Sequence, residues 1–445
     1  MLVAALGGGS IMGHLARLEP AYRRLVTRLD AGPVRLPEPA DPAAHQGWRE
    51  ILEIVFAPED AELAAKLPLR PASAEAIADI VGIPVPDLRG RLEAMCDRGM
   101  VIDLVDPSSG RTRYALAPPV VGFFEFSLMR AVDHIPKKRM ALALEAYTHG
   151  DPAFAREAFG LDTKVGRTLV HETSLSEEPL PDVLDWERAS RVVEGASAWA
   201  VSLCYCRHVA LHAGRSCDAP MDNCLSLNRG AEFAARHGFG RAIDKAEAHK
   251  ILEEARASGL VQIADNVASR PTFICNCCGC CCEQLSSINR WGLRSVNPSG
   301  FLPRHNPERC AGCSRCARAC PVAAISMVPE RVEASRKCGL LPHLDAERCI
   351  GCGVCVDACK KGARTMERVA RPRVPANGVE KAVRQALERG NLAALLVGGG
   401  DRLGTRFLRL AVEALAALPP AKRLLASEQV RSRFVAFALR NAPQV

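Results

Sequence analysis

A thirteen-residue pattern written twice constrains this chain more than any other feature of it. Glu308-Arg-Cys-Ala-Gly-Cys-Ser-Arg-Cys-Ala-Arg-Ala-Cys320 aligns with Glu347-Arg-Cys-Ile-Gly-Cys-Gly-Val-Cys-Val-Asp-Ala-Cys359, a period of 39 with eight of thirteen positions identical. Each half spaces its cysteines C-x2-C-x2-C-x3-C. The spacing calls for a tight loop that turns three thiols toward one point, with a fourth at the start of a helix leading away. The chain has 20 cysteines; nineteen lie between Cys204 and Cys359, and only Cys96 lies outside. In a long chain, cysteines clumped at ligand spacing point to metal binding rather than to disulfides.

Three thiolates from one loop match three irons of a [4Fe–4S] cube, and the fourth cysteine of each half ligates the cluster of the other half. Cys310, Cys313, Cys316 and Cys359 are therefore expected to hold one cluster, and Cys349, Cys352, Cys355 and Cys320 its partner. Gly312 and Gly351 suit the loops, because a missing Cβ lets backbone amides approach cluster sulfurs. A zinc ribbon would use two C-x2-C pairs rather than four cysteines per half. With every iron cysteine-ligated, the chemistry that remains is one-electron transfer. The formal charge of +8 is then weak evidence for a nucleic-acid partner. Eight thiolates around two cores of about +2 each add about −4, and twelve Lys/Arg against seven Asp/Glu across 301–370 offset it.

The segment from about Phe301 to Ala370 resembles the bacterial two-cluster ferredoxins, which implies a pseudo-twofold fold of small strands and two helices. Two departures stand out. Pro321 follows the first set as in the family, but Lys360 stands at the matching place in the second. Ile325, an expected core residue, corresponds to Arg364, so the second half is expected to be the more solvated. Cys338, in the insertion between the halves, has no ligand role in the pattern.

The middle of the chain carries ten more cysteines. Cys204-Tyr-Cys206-Arg-His208 is followed by Cys217 and Cys224, and then by Cys275, Cys277, Cys278, Cys280, Cys281 and Cys282. Adjacent cysteines do not readily ligate one ion together, so neighbouring pairs are expected to face different partners. The expectation is an additional centre, iron–sulfur or zinc, with ligands from both groups; the alternative is structural thiols or a redox-active dithiol. His208 and His212, one turn apart if helical, could ligate or orient. From about 165 to 370 the chain resembles a group of ferredoxin-type proteins common in anaerobic bacteria, which implies iron–sulfur binding and electron transfer but supplies no partner.

Elsewhere the pattern gives organisation. Residues 1–45 hold a helical stretch (Leu15, Leu18, Tyr22, Leu25) and a Pro-rich connector. In 46–120, helices at Trp48–Phe56, Ala74–Val81 with Ser73 as N-cap, and around Leu88, Leu92 and Met95 precede strands Val101–Val105 and Thr112–Leu116. This resembles a winged-helix domain. A helical linker region (121–185), a cysteine-rich middle domain (186–300), the two-cluster domain (301–370) and a helical tail (371–445) follow. The fold class expected is α+β multidomain: winged-helix-like N-terminal domain, mainly helical middle, dicluster ferredoxin-like domain, helical tail. Hydrophobic residues at 48% suffice for a core, although aromatic residues are only 5%. Gly398-Gly399-Gly400 lacks the Gly-Lys-Ser/Thr ending of a phosphate loop. No secretion signal, twin-arginine signal or apolar span is evident, Met12 is an alternative start, and a reducing cytoplasm is the expected compartment.

The function expected is single-electron transfer through two [4Fe–4S] clusters, as an electron carrier or redox subunit rather than a stand-alone enzyme, with redox proteins as donor and acceptor. Two alternatives differ in class. One is a redox-sensing winged-helix transcription regulator; its would-be recognition helix, Asp87–Arg98, carries Arg89, Arg91 and Arg98 but also Asp87, Glu93 and Asp97, a poor balance for neutralising phosphates. The other is an oxidoreductase whose active centre is the cysteine-rich middle.

Overall fold

The structure, a computed structural model, describes residues 18–175, 184–329 and 339–392. Cys338, the Gly398–Gly400 run, the Met12 start and most of the tail lie outside the described residues. Five helices open the chain: α1 (Pro20–Asp30), α2 (Pro42–Val55), α3 (Pro58–Ala64), α4 (Ala74–Val81) and α5 (Val85–Asp97). The hairpin of β1 (Val101–Val105) and β2 (Thr112–Leu116) follows, with Val101 opposite Leu116. Ser73 caps α4 as its sequence predicts, accepting the Ala76 N–H at 3.3 Å. Asp41 caps α2 in the same way, with Pro42 preset for the first helical position.

Three helices, α6 (Phe124–Leu128), α7 (Lys137–Gly150) and α8 (Pro152–Phe159), lead to a short strand, β3 (Gly166–Thr168). The middle then runs α9 (Ala189–Glu194), β4 (Trp199–Leu203), α10 (Tyr205–His212), β5 (Asp222–Leu227), α11 (Arg229–Arg236), β6 (Arg241–Ile243), α12 (Lys245–Ala257), β7 (Val261–Asp265), β8 (Phe273–Cys277) and α13 (Glu283–Trp291). Its strands join β3 in one antiparallel six-stranded sheet of order β3-β7-β8-β5-β4-β6. This corrects the expectation of a mainly helical middle. Short apolar runs such as Trp199–Leu203 and Phe273–Cys277, buried on both faces, lack the alternation that announces a strand.

The last part holds β9 (Phe301–His305), α14 (Arg315–Arg318), β10 (Ile325–Pro329), β11 (Leu340–Leu344), α15 (Val354–Asp357), β12 (Arg364–Arg368) and α16 (Gly378–Arg389). The period of 39 governs the fold as well as the motif. β9 and β11, α14 and α15, and β10 and β12 are each displaced by that interval. β9 pairs with β12 and β10 with β11, so the two halves interleave around a local twofold.

One apolar core runs from Tyr22 and Leu25 on α1 through Trp48, Leu92, Phe124 and Tyr147 to Phe233 and Phe239 in the middle. The hairpin is tied to α11 by charge. Asp103 on β1 and His237 are buried, and His237 Nε2 stands 3.3 Å from Asp103 while its Nδ1 stands 2.7 Å from Asp97. Arg236 also bonds Asp103, at 2.6 Å. Burial pushes the His237 pKa down, but the two carboxylates outweigh it and the net shift is upward. Stability from this contact is complete below about pH 6.5 and is lost as pH rises through the raised folded value. Hydrogen exchange of β1 and α11 should accelerate across that window, and a His237→Gln variant should show no such pH step.

Candidate metal centres

In the last part the structure gathers the repeat cysteines into two sets. A cavity of about 150 Å³ is walled by Cys310, Cys313, Cys316 and Cys359, three from one loop and the fourth from the other half. Cys320, Cys349, Cys352 and Cys355 form the other set, each of the last three feeling the charge of Cys320. The sulfurs meet amide donors suited to thiolate: Gly312 N–H to Cys310 Sγ at 3.4 Å, Ala324 N–H to Cys320 at 3.2 Å and Ala363 N–H to Cys359 at 3.3 Å. A four-thiol cavity with inward N–H groups fits a [4Fe–4S] cube, whose potential such donors tune.

The two sets differ in exposure, in the opposite sense to the expectation. Cys313 is exposed, whereas Cys352 and Cys355 are buried. Arg364, taken as a mark of a solvated second half, is itself 3% exposed, with its guanidinium 3.9 Å from Cys355 Sγ. Burial pushes the Cys355 thiol up to about 12, with Arg364 pulling the other way. The reason is docking. The second loop packs on the middle through His171 N–H to Cys352 O at 2.9 Å and Ser299 N–H to Ile350 O at 3.2 Å. The His171 ring, also buried, bridges Asp357 at 2.8 Å and Leu260 O at 2.9 Å. Gly351 fits because a Cβ there would stand 2.4 Å from Phe301 O.

The ten cysteines of the middle separate into a six and a four. Cys204, Cys206, Cys224, Cys275, Cys277 and Cys282 line a cavity of about 420 Å³, which Cys278 and Cys281 of the four also border. Cys275 and Cys277 share one face of β8 by strand alternation. Continuing the Leu225–Ile274 register puts Cys224 opposite Cys275. Cys204 and Cys282 directly precede α10 and α13, so each stands at a helix N-terminus, whose dipole favours thiolate; at Cys204 burial outweighs that pull. Sulfur contacts run from Cys224 to Cys275, Cys277, Cys282 and Cys206. Thiols of Cys206 and then Cys277 hold Cys282 at about 5, while burial pushes Cys204 up to about 12. The remaining wall is mostly apolar, including Phe124, Phe154 and Phe233. Burial lifts the Glu125 carboxyl in that wall to about 8. Helix α16 contributes Lys381 and Gln385, the latter bonding Thr163 O at 3.1 Å.

Cys217, Cys278, Cys280 and Cys281 form the four. The rule that adjacent cysteines face different partners holds for Cys277–Cys278 and Cys281–Cys282 and fails for Cys280–Cys281. Strand alternation ends at Cys277, and the turn that follows brings Cys280 and Cys281 Sγ to 3.7 Å. His208 and His212 join neither group; His208 Nδ1 donates to Leu128 O at 2.7 Å, and its Nε2 faces His212 Nε2 at 3.1 Å. Glu125, Arg207 and the α16 residues at these sites carry no motif, although Arg207 sits inside the Cys-x-Cys-Arg-His start.

Residues 309–363 match the family described as 4Fe-4S dicluster domain. No curated protein and no solved structure matches the chain. The match marks this part of the chain as a ferredoxin-type iron–sulfur segment holding at least one [4Fe–4S] cluster. Among the described residues no helix is long and apolar enough to cross a membrane.

Proposed function

We propose that this protein is an electron-transfer protein in which Cys310, Cys313, Cys316 and Cys359 hold one [4Fe–4S] cluster, Cys349, Cys352, Cys355 and Cys320 hold a second, and the six buried thiols of the middle hold a third iron–sulfur centre. Bound there, the clusters supply one-electron transfer. One observation carries the direction of the path: Cys352, Cys277 and Cys282 belong to a single apolar core, with Cys275, Cys320 and Cys349 packed against it. The second repeat set thus abuts the six thiols, while the first set lies at the surface. Around that first set Arg309, Arg315, Arg318, Lys360 and Lys361 are exposed, which suits a redox donor with an acidic docking face.

Anaerobically purified full-length protein should contain about twelve irons and twelve sulfides. A Cys206→Ser, Cys275→Ser double variant should fall to about eight of each, with two interacting reduced centres left in the electron paramagnetic resonance spectrum. About eight in both proteins would remove the third centre from the reading. A small anionic dye should reduce the protein faster than a cationic one, with the difference fading at high salt.

A second reading, an oxidoreductase centred on the six thiols, is favoured by the cavity they line and by Glu125, poised near neutrality as a proton carrier. An external ligand such as cyanide would perturb the spectrum of that centre in this case and leave it unchanged in a pure carrier. DNA binding draws less support, because the arginines of α5 are engaged within the chain. Arg89 pairs with Glu75 at 2.8 Å, Arg98 with Asp60 at 2.7 Å, and Arg91 donates to Glu59 O at 3.2 Å.

A further inference from the structure

Four thiols of the middle converge on a single point. The Sγ atoms of Cys217, Cys278, Cys280 and Cys281 all lie within 4.8 Å of one another. Two edges of this tetrad are 3.7 Å, from Cys280 to Cys281, and 3.9 Å, from Cys281 to Cys217. A single ion bound by four thiolates at about 2.3 Å has tetrahedral edges of about 3.8 Å. Thiolates that hold a cube ligate separate irons and stand farther apart, and among the described residues the eight repeat cysteines form no group as tight.

The charge around the tetrad points the same way. Arg207 is 0% exposed and has no carboxylate partner among the described ion pairs. It donates to Pro220 O, to Asn223 Oδ1 at 3.3 Å and to Asn276 O at 3.4 Å, and its Nε has no hydrogen-bond partner. The guanidinium faces Cys204 of the six and lies against the Cys217 and Cys278 thiols of the tetrad. A buried cation is costly without anionic neighbours; a divalent ion with four thiolates is a net dianion and supplies counter-charge on the side of Cys217 and Cys278.

We propose that Cys217, Cys278, Cys280 and Cys281 bind one Zn²⁺ as a closed tetrathiolate site, separate from the six-thiol centre. Zinc is chosen because four thiolates at tetrahedral spacing are the closed donor set of a structural zinc site, which has no redox chemistry of its own. The site clasps the 213–221 loop to the turn after β8. That turn lies on the second repeat set, where a Cβ on Gly279 would stand 2.3 Å from Pro321 O. The zinc site therefore braces the contact between the middle and the ferredoxin segment. The inference divides the additional centre of the proposed function and rests on that reading only for the six thiols; separate zinc and iron counts let the two fail independently.

The test uses the full chain purified anaerobically. Metal analysis should give about one zinc per chain, and absorption spectroscopy at the zinc edge should show four sulfur neighbours at about 2.3 Å. A Cys217→Ser, Cys280→Ser double variant should lose the zinc and keep wild-type iron and sulfide. Wild-type protein loaded with Co²⁺ should show the intense visible bands of tetrahedral thiolate-bound cobalt, absent from the variant. Zinc absent from wild type, zinc with nitrogen or oxygen neighbours, or a variant that loses iron and sulfide in zinc's place would each overturn the assignment. The edge spectrum of wild type decides the matter even if the variant fails to fold.

Discussion

Arg207→Leu should release zinc from the tetrad and destabilise the middle by about 3–5 kcal/mol, the cost of removing one partner from a buried charge pair. The side chain is enclosed, so solvent cannot stand in for it. Leucine would leave Pro220 O, Asn223 Oδ1 and Asn276 O short of a donor and leave the thiolates without a counter-charge. Arg207→Lys should fall between, because an ammonium keeps the charge but cannot span three acceptors in different directions. The measurement is zinc per chain together with the denaturant midpoint of the anaerobic protein. Full zinc retention in the leucine variant would mean that Arg207 serves packing alone and would remove the electrostatic part of the argument.

The Arg207 case shows where the sequence stops being legible. The gathering of the repeat cysteines could be read from the spacing because it is local, three cysteines of one turn; the fourth, expected to start a helix, instead follows the end of one, Cys320 after α14 and Cys359 after α15. The same interval relates the two strand registers to each other, Phe301 opposite Arg368 and Leu340 opposite Pro329. Local signals also served for Ser73 as a cap and for the hairpin Val101–Leu116. The sorting of the middle cysteines could not be read, because it depends on where strand alternation ends. Cys275 and Cys277 lie on a strand, Cys278, Cys280 and Cys281 on or beside a turn, and Cys282 ahead of a helix, all within eight residues of chain. Without the sheet, the run looks like a single cluster of thiols. Solvation misled for a related reason. The charge of Arg364 suggests a surface residue, but the second loop beside it is covered by His171 and Ser174, nearly two hundred residues earlier.

That burial makes Arg364→Ile informative, because isoleucine restores the residue that the repeat places at position 325 and should fold. Arg364 stands beside Cys355 and also borders the cavity of the other set, so its cation lies between the two. Reduction adds a negative charge to a cluster, and a fixed cation nearby favours the reduced form. Removing it should move the potentials to more negative values. The shift should be on the order of 50–100 mV for the Cys349 set, taking an effective dielectric of about 20 and a charge spread over the cluster, and smaller for the Cys310 set. Arg364→Lys should keep most of the wild-type potential, which separates charge from packing. The check is a redox titration followed by electron paramagnetic resonance, with iron content confirmed unchanged. Potentials that stay in place would mean that amide donors and burial, not this cation, set the energy of the second site.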